Sequence, residues 1–300
     1  MGCRFGFSAI HQNPDRAWSA IRAGVKEIRR IESLISSWKE ASETSEINRC
    51  AGIRPVKVSR ELFELIRRSI HISAITGGAF DITGNISRYY WKCNGQDILP
   101  PERHTIEMLR QLIDYRLIEL DEQSSTVFLQ RKGMSIGFGG IGKGYAAHKA
   151  KIAMEEYALS GGMVNASGDI VCWGNPPKNE TWSVSIIDPK NHDCIAANIS
   201  LSYGSVVTSG DYESFQTHEG KKYSHIIDPR TGMPSDGLSS VTVVGLNPEF
   251  GDALATALSV LGWERGIRLV NRIRGVECIL IDQSNTIHYS DNLKHIYAKK

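Results

Sequence analysis

The sequence predicts an α+β protein, with a mixed, largely antiparallel sheet and packed helices, on three observations. Two segments in the first quarter repeat apolar residues at helical spacing, a hairpin signature follows them, and the remainder is β-rich with two further helices set into it. The resulting order lacks the regular strand–helix alternation of a doubly wound parallel sheet.

The elements follow in turn. From Pro14 to Ile35, the residues Trp18, Ile21, Val25, Ile28, Ile31 and Ile35 form one apolar face, entered through Asn13-Pro14. A second helix starts after Ser59, a natural N-cap, runs through Leu62, Leu65, Ile66 and Ile70, and stops at Gly77-Gly78. RLIELD (116–121) and TVFLQ (126–130) flank the polar DEQSS and read as a hairpin. The strand-like MSIGF (134–138) leads into a glycine turn and a helix over residues 143–158. MVNASGDIVCW, WSVSIID, VTVVG and ECILID supply further strands, with another helix starting near Phe250.

Composition narrows the class. With 300 residues, 41% hydrophobic and 23% charged, the chain suits one large or two modest globular domains. A net charge of +2 and no run of five like charges give no reason to expect a nucleic acid or an anionic membrane as partner. No segment approaches the roughly 18 apolar residues of a membrane span, and the start, MGCRFGFSAIHQ, reads neither as a signal peptide nor as a lipobox, so the expected location is cytoplasmic. Cys3, Cys50, Cys93, Cys172, Cys194 and Cys278 form no C-x-x-C pair; reduced structural thiols are expected rather than a zinc site.

Chemistry concentrates in five places. In IGFGGIGKGYAAHKA (136–150), Gly137, Gly139 and Gly142 match G-x-G-x-x-G, while Gly137, Gly142 and Lys143 match most of a P-loop. The P-loop fails because Gly144 stands where a magnesium-binding Ser or Thr is needed, and the dinucleotide fingerprint fails because the run does not open a first βαβ unit. Two readings stay open: amides approaching a phosphate at a helix N-terminus, or a glycine-rich turn with no ligand. In GGAFDITGN (77–85), Asp81 and Thr83 can bond a ligand or their own backbone. SVVTSGDYESF (205–215) offers Thr208 and Ser209 after a strand, either as phosphate-holding groups or as a strand-ending turn. YSHIIDPRTGMPS (223–235) crowds His225, Asp228, Arg230 and Thr231 into one segment. In EFGDALATALSVLG (249–262), Asp252 and Thr256 are four residues apart and share a helix face. A carboxylate and a hydroxyl suit magnesium; an N-capping Asp and a filler Thr are the structural alternative.

SETSEINR, GAFDITGN, FGGIGKGYA, VNASGD, TSGDYE, SHIIDPRTGMP and DALATALSVLG occur together in the order and spacing of the ApbE family, the FAD:protein FMN transferases, and the resemblance spans residues 1 to about 290. It implies an ApbE-type, T-fold-like architecture as one domain over 1–300. It implies an enzyme that takes FAD as substrate, uses Mg2+ on the diphosphate, and passes FMN to a Thr or Ser hydroxyl of an acceptor protein, such as a redox-pump subunit or an FMN-binding domain, releasing AMP. A magnesium-dependent FAD pyrophosphatase and a non-catalytic FAD-binding protein are the alternatives.

By the same resemblance, Asp252 and Thr256 hold the metal with a backbone carbonyl best matched by Gly142. His225 lies beside the diphosphate as proton acceptor or phosphoryl stabiliser, with Asp228 to orient it. Lys143 and Thr208 bind phosphate oxygens, and Met1, Asn48, Asp81 and Ser209 line the flavin or adenine pocket; Thr83 and Arg230 complete the expected cofactor-binding set. Two positions depart from the family pattern: an acidic position is Gly137, and a frequent Asp is His148. Many relatives are envelope lipoproteins, whereas this chain begins at the Met1-Gly2-Cys3 segment.

Overall fold

The computed structural model describes residues 2–89, 91–94, 97–99, 101–176, 181–210, 215–218 and 221–293. Its centre is a seven-stranded antiparallel sheet of β1 (Phe5–Ile10), β2 (Gly161–Ala166), β3 (Asp169–Gly174), β4 (Gly204–Gly210), β5 (Leu238–Gly245), β6 (Glu277–Asp282) and β7 (Ile287–Tyr289), whose spatial order follows the chain. Three smaller sheets surround it, and a parallel pairing of Thr217 with Asp97 in one of them makes the whole mixed.

Among the described residues six α-helices surround this frame: α1 (Pro14–Ile35), α2 (Glu43–Arg49), α3 (Arg60–Ile75), α4 (Arg103–Leu112), α5 (Gly142–Glu155) and α6 (Pro248–Val270). On one face α5 lies between α1 and α6, and α6 covers β4 and β5. On the other face the hairpin Trp182–Ile187 with Ile195–Leu201 buries Val184, Ile186, Ala197 and Ile199 against Val206 and Ile279. Among the described residues no helix is long and apolar enough to cross a membrane.

The α1 helix starts where the sequence predicts: the Asn13 side chain accepts from the Asp15 and Arg16 amides, a cap worth about 1 kcal/mol. Its buried face differs. Ala20, Gly24, Ile28, Ile31 and Ile35 turn inward, while Trp18 is 61% exposed. A Cβ at Gly24 would meet Phe7 at 3.0 Å and Met154 at 3.1 Å, so the small residues let α1 and α5 approach closely. Ser59 caps α3 through the Leu62 amide, and Gly77 and Gly78, both at positive φ, end it as expected. The hairpin Ile118–Asp121 with Thr126–Leu129 forms as predicted, with Val56–Lys57 added at its edge.

MSIGF is not a strand. The Ile136 amide donates to Asn48 Oδ1 at 2.8 Å, the Ile136 carbonyl accepts from Asn48 Nδ2 at 3.0 Å, and the Gly137 amide donates to the Ile82 carbonyl, so no neighbouring strand supplies the bonds. Nor do Thr208 and Ser209 follow a strand: both lie inside β4, paired with Thr242 and Val241. The short helices α2 and α4 escaped the apolar-periodicity reading, although Ser42 caps α2 through the Ser45 amide. Cys3, Cys50, Cys172, Cys194 and Cys278 are free thiols.

Candidate active site

The glycine turn, α5 and α6 meet at a buried charge cluster. Gly144 makes the meeting possible: a Cβ there would stand 2.0 Å from the Pro248 carbonyl oxygen, a distance no side chain tolerates. Without one, α5 closes on α6 and the Gly144 amide donates to Asp252 Oδ2 at 3.0 Å. Lys143 Nζ donates to Asp252 Oδ1 at 3.0 Å and lies 2.8 Å from Asp169 Oδ2, at the start of β3. Both carboxylates are fully buried, and Lys143 retains partial exposure into the cleft. Burial pulls the Lys143 pKa down, but Asp252 and Asp169 outweigh it and hold the ammonium well above the usual lysine range. Two carboxylates around one ammonium leave the cluster net negative.

One helical turn beyond Asp252, Thr256 Oγ1 lies 3.4 Å from the Gly140 carbonyl oxygen. Asp252 is not the N-cap of α6; Asn247 fills that place. Among the described residues no three His, Cys, Asp or Glu side chains converge as a metal cage. The donors present are one carboxylate, one hydroxyl and a glycine-turn carbonyl in a net-negative setting. These hard oxygens fit magnesium, which takes few protein ligands. The carbonyl beside Thr256 is that of Gly140; Gly142, the position expected from the resemblance, is buried as the first residue of α5.

His225, Ile226 and Pro229 line the same cleft, as do Asp81, Asn85 and Ser209. His225 is exposed. At the glycine turn the cleft continues past Lys143 and His225 into a trough reaching Cys3, Arg4, Glu32 and Trp38, the last 70% exposed. At its other end Asp81 and Pro229 lead to a groove lined by Tyr115 and Arg230. The cleft is therefore elongated, with its charged cluster midway.

Several expected residues take other places. Asp228 pairs through both oxygens with Arg230, at 2.9 Å each, rather than orienting His225. Asp81 Oδ1 accepts from the Thr83 amide and hydroxyl at 2.8 and 2.7 Å, and Oδ2 accepts from the Tyr115 amide at 2.8 Å, while Asp81 also lines the cleft. Asp81 keeps some solvent contact at the cleft, yet the protein packed around it pushes its carboxyl up to about 6. Thr83 is wholly buried. Asn48 fastens the backbone of Ile136 behind the glycine turn. Thr208 bonds Thr242 and, by strand alternation, faces the hairpin side of the sheet, away from the cleft that Ser209 lines. Met1 lies outside the described residues.

The ApbE family model matches residues 1–280. The chain belongs to the ApbE family. An FAD:protein FMN transferase of Klebsiella pneumoniae is 29% identical over 262 residues, covering 87% of this chain and 81% of its own, and one of Treponema pallidum is 30% identical over 285 residues, covering 89% and 79%. The crystal structure of the ApbE protein of Thermotoga maritima superposes with a TM-score of 0.87 at 28% identity, covering 96% of this chain and 93% of that one. The apo flavinyl transferase ApbE of Pseudomonas stutzeri shares the fold at a TM-score of 0.86 and 22% identity, covering 100% and 95%.

Within this ApbE chain, three residues of the cleft escaped the sequence reading: Asp169, Asn85 and Trp38. Asp169 alone carried a signal, a charged residue opening the apolar strand DIVCW. Asn85 and Trp38 had none, because their places depend on which segments the fold brings together.

Proposed function

We propose that this protein, an enzyme of the ApbE family, transfers the FMN moiety of FAD to a Thr or Ser hydroxyl of an acceptor protein and releases AMP. The observation that supports the reading best is the Lys143–Asp252–Asp169 cluster at an elongated cleft that exposed His225 also lines. FAD has the matching shape: two ring systems joined by an anionic diphosphate.

Asp252, Thr256 and a glycine-turn carbonyl would hold magnesium, which supplies charge neutralisation at the diphosphate and on the departing AMP. Lys143 and the Ser209 hydroxyl bind phosphate oxygens. His225 accepts the proton of the acceptor hydroxyl as that oxygen bonds to the FMN phosphorus and the bond to the AMP-side bridging oxygen breaks. Asp228, tied to Arg230, shapes the segment after His225 rather than relaying its proton. The acceptor is a protein segment presenting the hydroxyl, as in a redox-pump subunit or an FMN-binding domain.

Incubation with FAD and magnesium, with and without an acceptor domain, tests the reading by following AMP and covalent flavin together. AMP matched by flavin on the acceptor, and lost in Asp252→Ala, is the expected result. AMP and free FMN without acceptor would replace the transferase by a pyrophosphatase, and bound, unchanged FAD in both samples would overturn catalysis.

A further inference from the structure

Gly137 stands at the cleft in a place that is already filled. A Cβ built on it would lie 2.3 Å from Asn85 Oδ1 and 2.5 Å from Asn85 Cγ, well inside any tolerable contact. The carboxamide occupying that space is nine-tenths buried and donates through Nδ2 to Ser135 Oγ at 2.9 Å. Both residues line the cleft, next to Gly139 and Gly140. A polar side chain at this point on the wall is thus delivered from the segment after Asp81 instead of from the glycine turn itself.

We infer that Asn85 is a positioning residue of the proposed flavin site, its carboxamide acting as the missing side chain of residue 137. The inference rests on the functional reading above for its ligand, FAD. The run before the turn has three anchors: Asn48 holds both backbone polar groups of Ile136, the Ile82 carbonyl holds the Gly137 amide, and Asn85 holds the side-chain hydroxyl of Ser135. Asn48 and Ile82 bond the main chain itself, whereas Asn85 bonds the Ser135 hydroxyl. Together they hold in register the run that carries the Gly140 carbonyl to Thr256 and Lys143 to Asp252. The carboxamide is also neutral, so residue 85 adds no further negative charge to a cleft that already carries Asp81 and Asp252. This accounts structurally for the acidic position that is Gly137 in this chain: an acid there and Asn85 cannot share the space.

A transplant cycle tests the inference. Gly137→Asn alone places two side chains in one space and is expected to weaken FAD affinity about tenfold or more; Asn85→Gly alone removes an anchor and weakens it by a similar factor. The double variant Asn85→Gly/Gly137→Asn returns the carboxamide from the other segment, and its affinity should recover to within about threefold of the parent. Affinity is read from quenching of flavin fluorescence, and thermal midpoints are recorded on the same four proteins without FAD. Asn85→Asp, of the same shape, puts a carboxylate into that buried space, so its midpoint should fall and it should bind FAD more weakly at low ionic strength than at high.

A Gly137→Asn protein with parental affinity and midpoint would overturn the inference, as would a double variant impaired by the full product of the two singles. Were the parent itself to bind no FAD, the functional reading would fall. The thermal arm would still decide the pair: recovery in the double variant upholds the shared space, and additive losses refute it.

Discussion

Asp252 and Asp81 are carboxylates of one cleft, surrounded by protein and bonded by backbone amides, yet they differ in one partner. Asp252 has the Lys143 ammonium at 3.0 Å, shared with Asp169, whereas the donors bonded to Asp81 are three neutral groups. Hydrogen bonds from Thr83 and Tyr115 favour the charged form of Asp81, but desolvation outweighs them and its carboxyl rises to about 6. The lesson is that buried oxygens become a cation-ready site only where charge balance is built in with them; the Asp81 turn is a structural joint on the same wall.

Removing the cation should erase the difference. Lys143→Met leaves Asp169 and Asp252 buried without an ammonium, and about 3–5 kcal/mol of unfolding free energy should be lost, measured by urea titration at neutral pH. A loss below about 1 kcal/mol would mean that the cluster relaxes into water.

Asp81 is probed by pH. Its folded pKa lies above the unfolded value of 3.8, so its contribution is most favourable below about pH 4 and declines as pH rises through about 6. At about 1.4 kcal/mol per pH unit the decline is on the order of 3 kcal/mol, and Asp81→Asn should flatten that slope between pH 4 and 6. An identical slope in the variant would assign the titration to other groups.

Glu249 sharpens the comparison from the rim. Its side chain is 6% exposed, and Arg68 Nε donates to it at 2.6 Å, holding the first turn of α6 to α3. Arg68 is itself half exposed, so Arg68→Ala should cost a more modest 1–2 kcal/mol or about that, read from the thermal midpoint. Thr208→Val is the smallest perturbation. It removes a hydroxyl bonded to Thr242 on the far face of the sheet, so stability should change by less than about 1 kcal/mol and FAD affinity by less than about twofold. A large loss of FAD affinity would place Thr208 in the binding site after all.

Much of this was legible beforehand for identifiable reasons. Caps are local chemistry, so Asn13 and Ser59 mark their helix starts directly, and the spacing of Asp252 and Thr256 guarantees a shared helix face. The strand-like MSIGF misled because apolar alternation does not say where backbone bonds go; here they go to Asn48 and Ile82. Thr208 and Ser209 are adjacent in sequence and opposite in space, since a strand alternates its faces and the sequence did not reveal that β4 runs through both. The pairing of Asp228 with Arg230, two residues on, satisfied locally a carboxylate expected to reach His225.

By itself the sequence determined the helix and hairpin segments, the family, and the group of segments from which the cleft is built, because periodicity, capping and motif order are properties of neighbours along the chain. The tertiary structure alone decided that Lys143 sits between Asp252 and Asp169 and offsets part of their charge, that Gly144 lets α5 and α6 touch, and that Asn85 fills the space before Gly137. Those are meetings of residues tens to over a hundred positions apart, set by close packing and charge balance that no local pattern encodes.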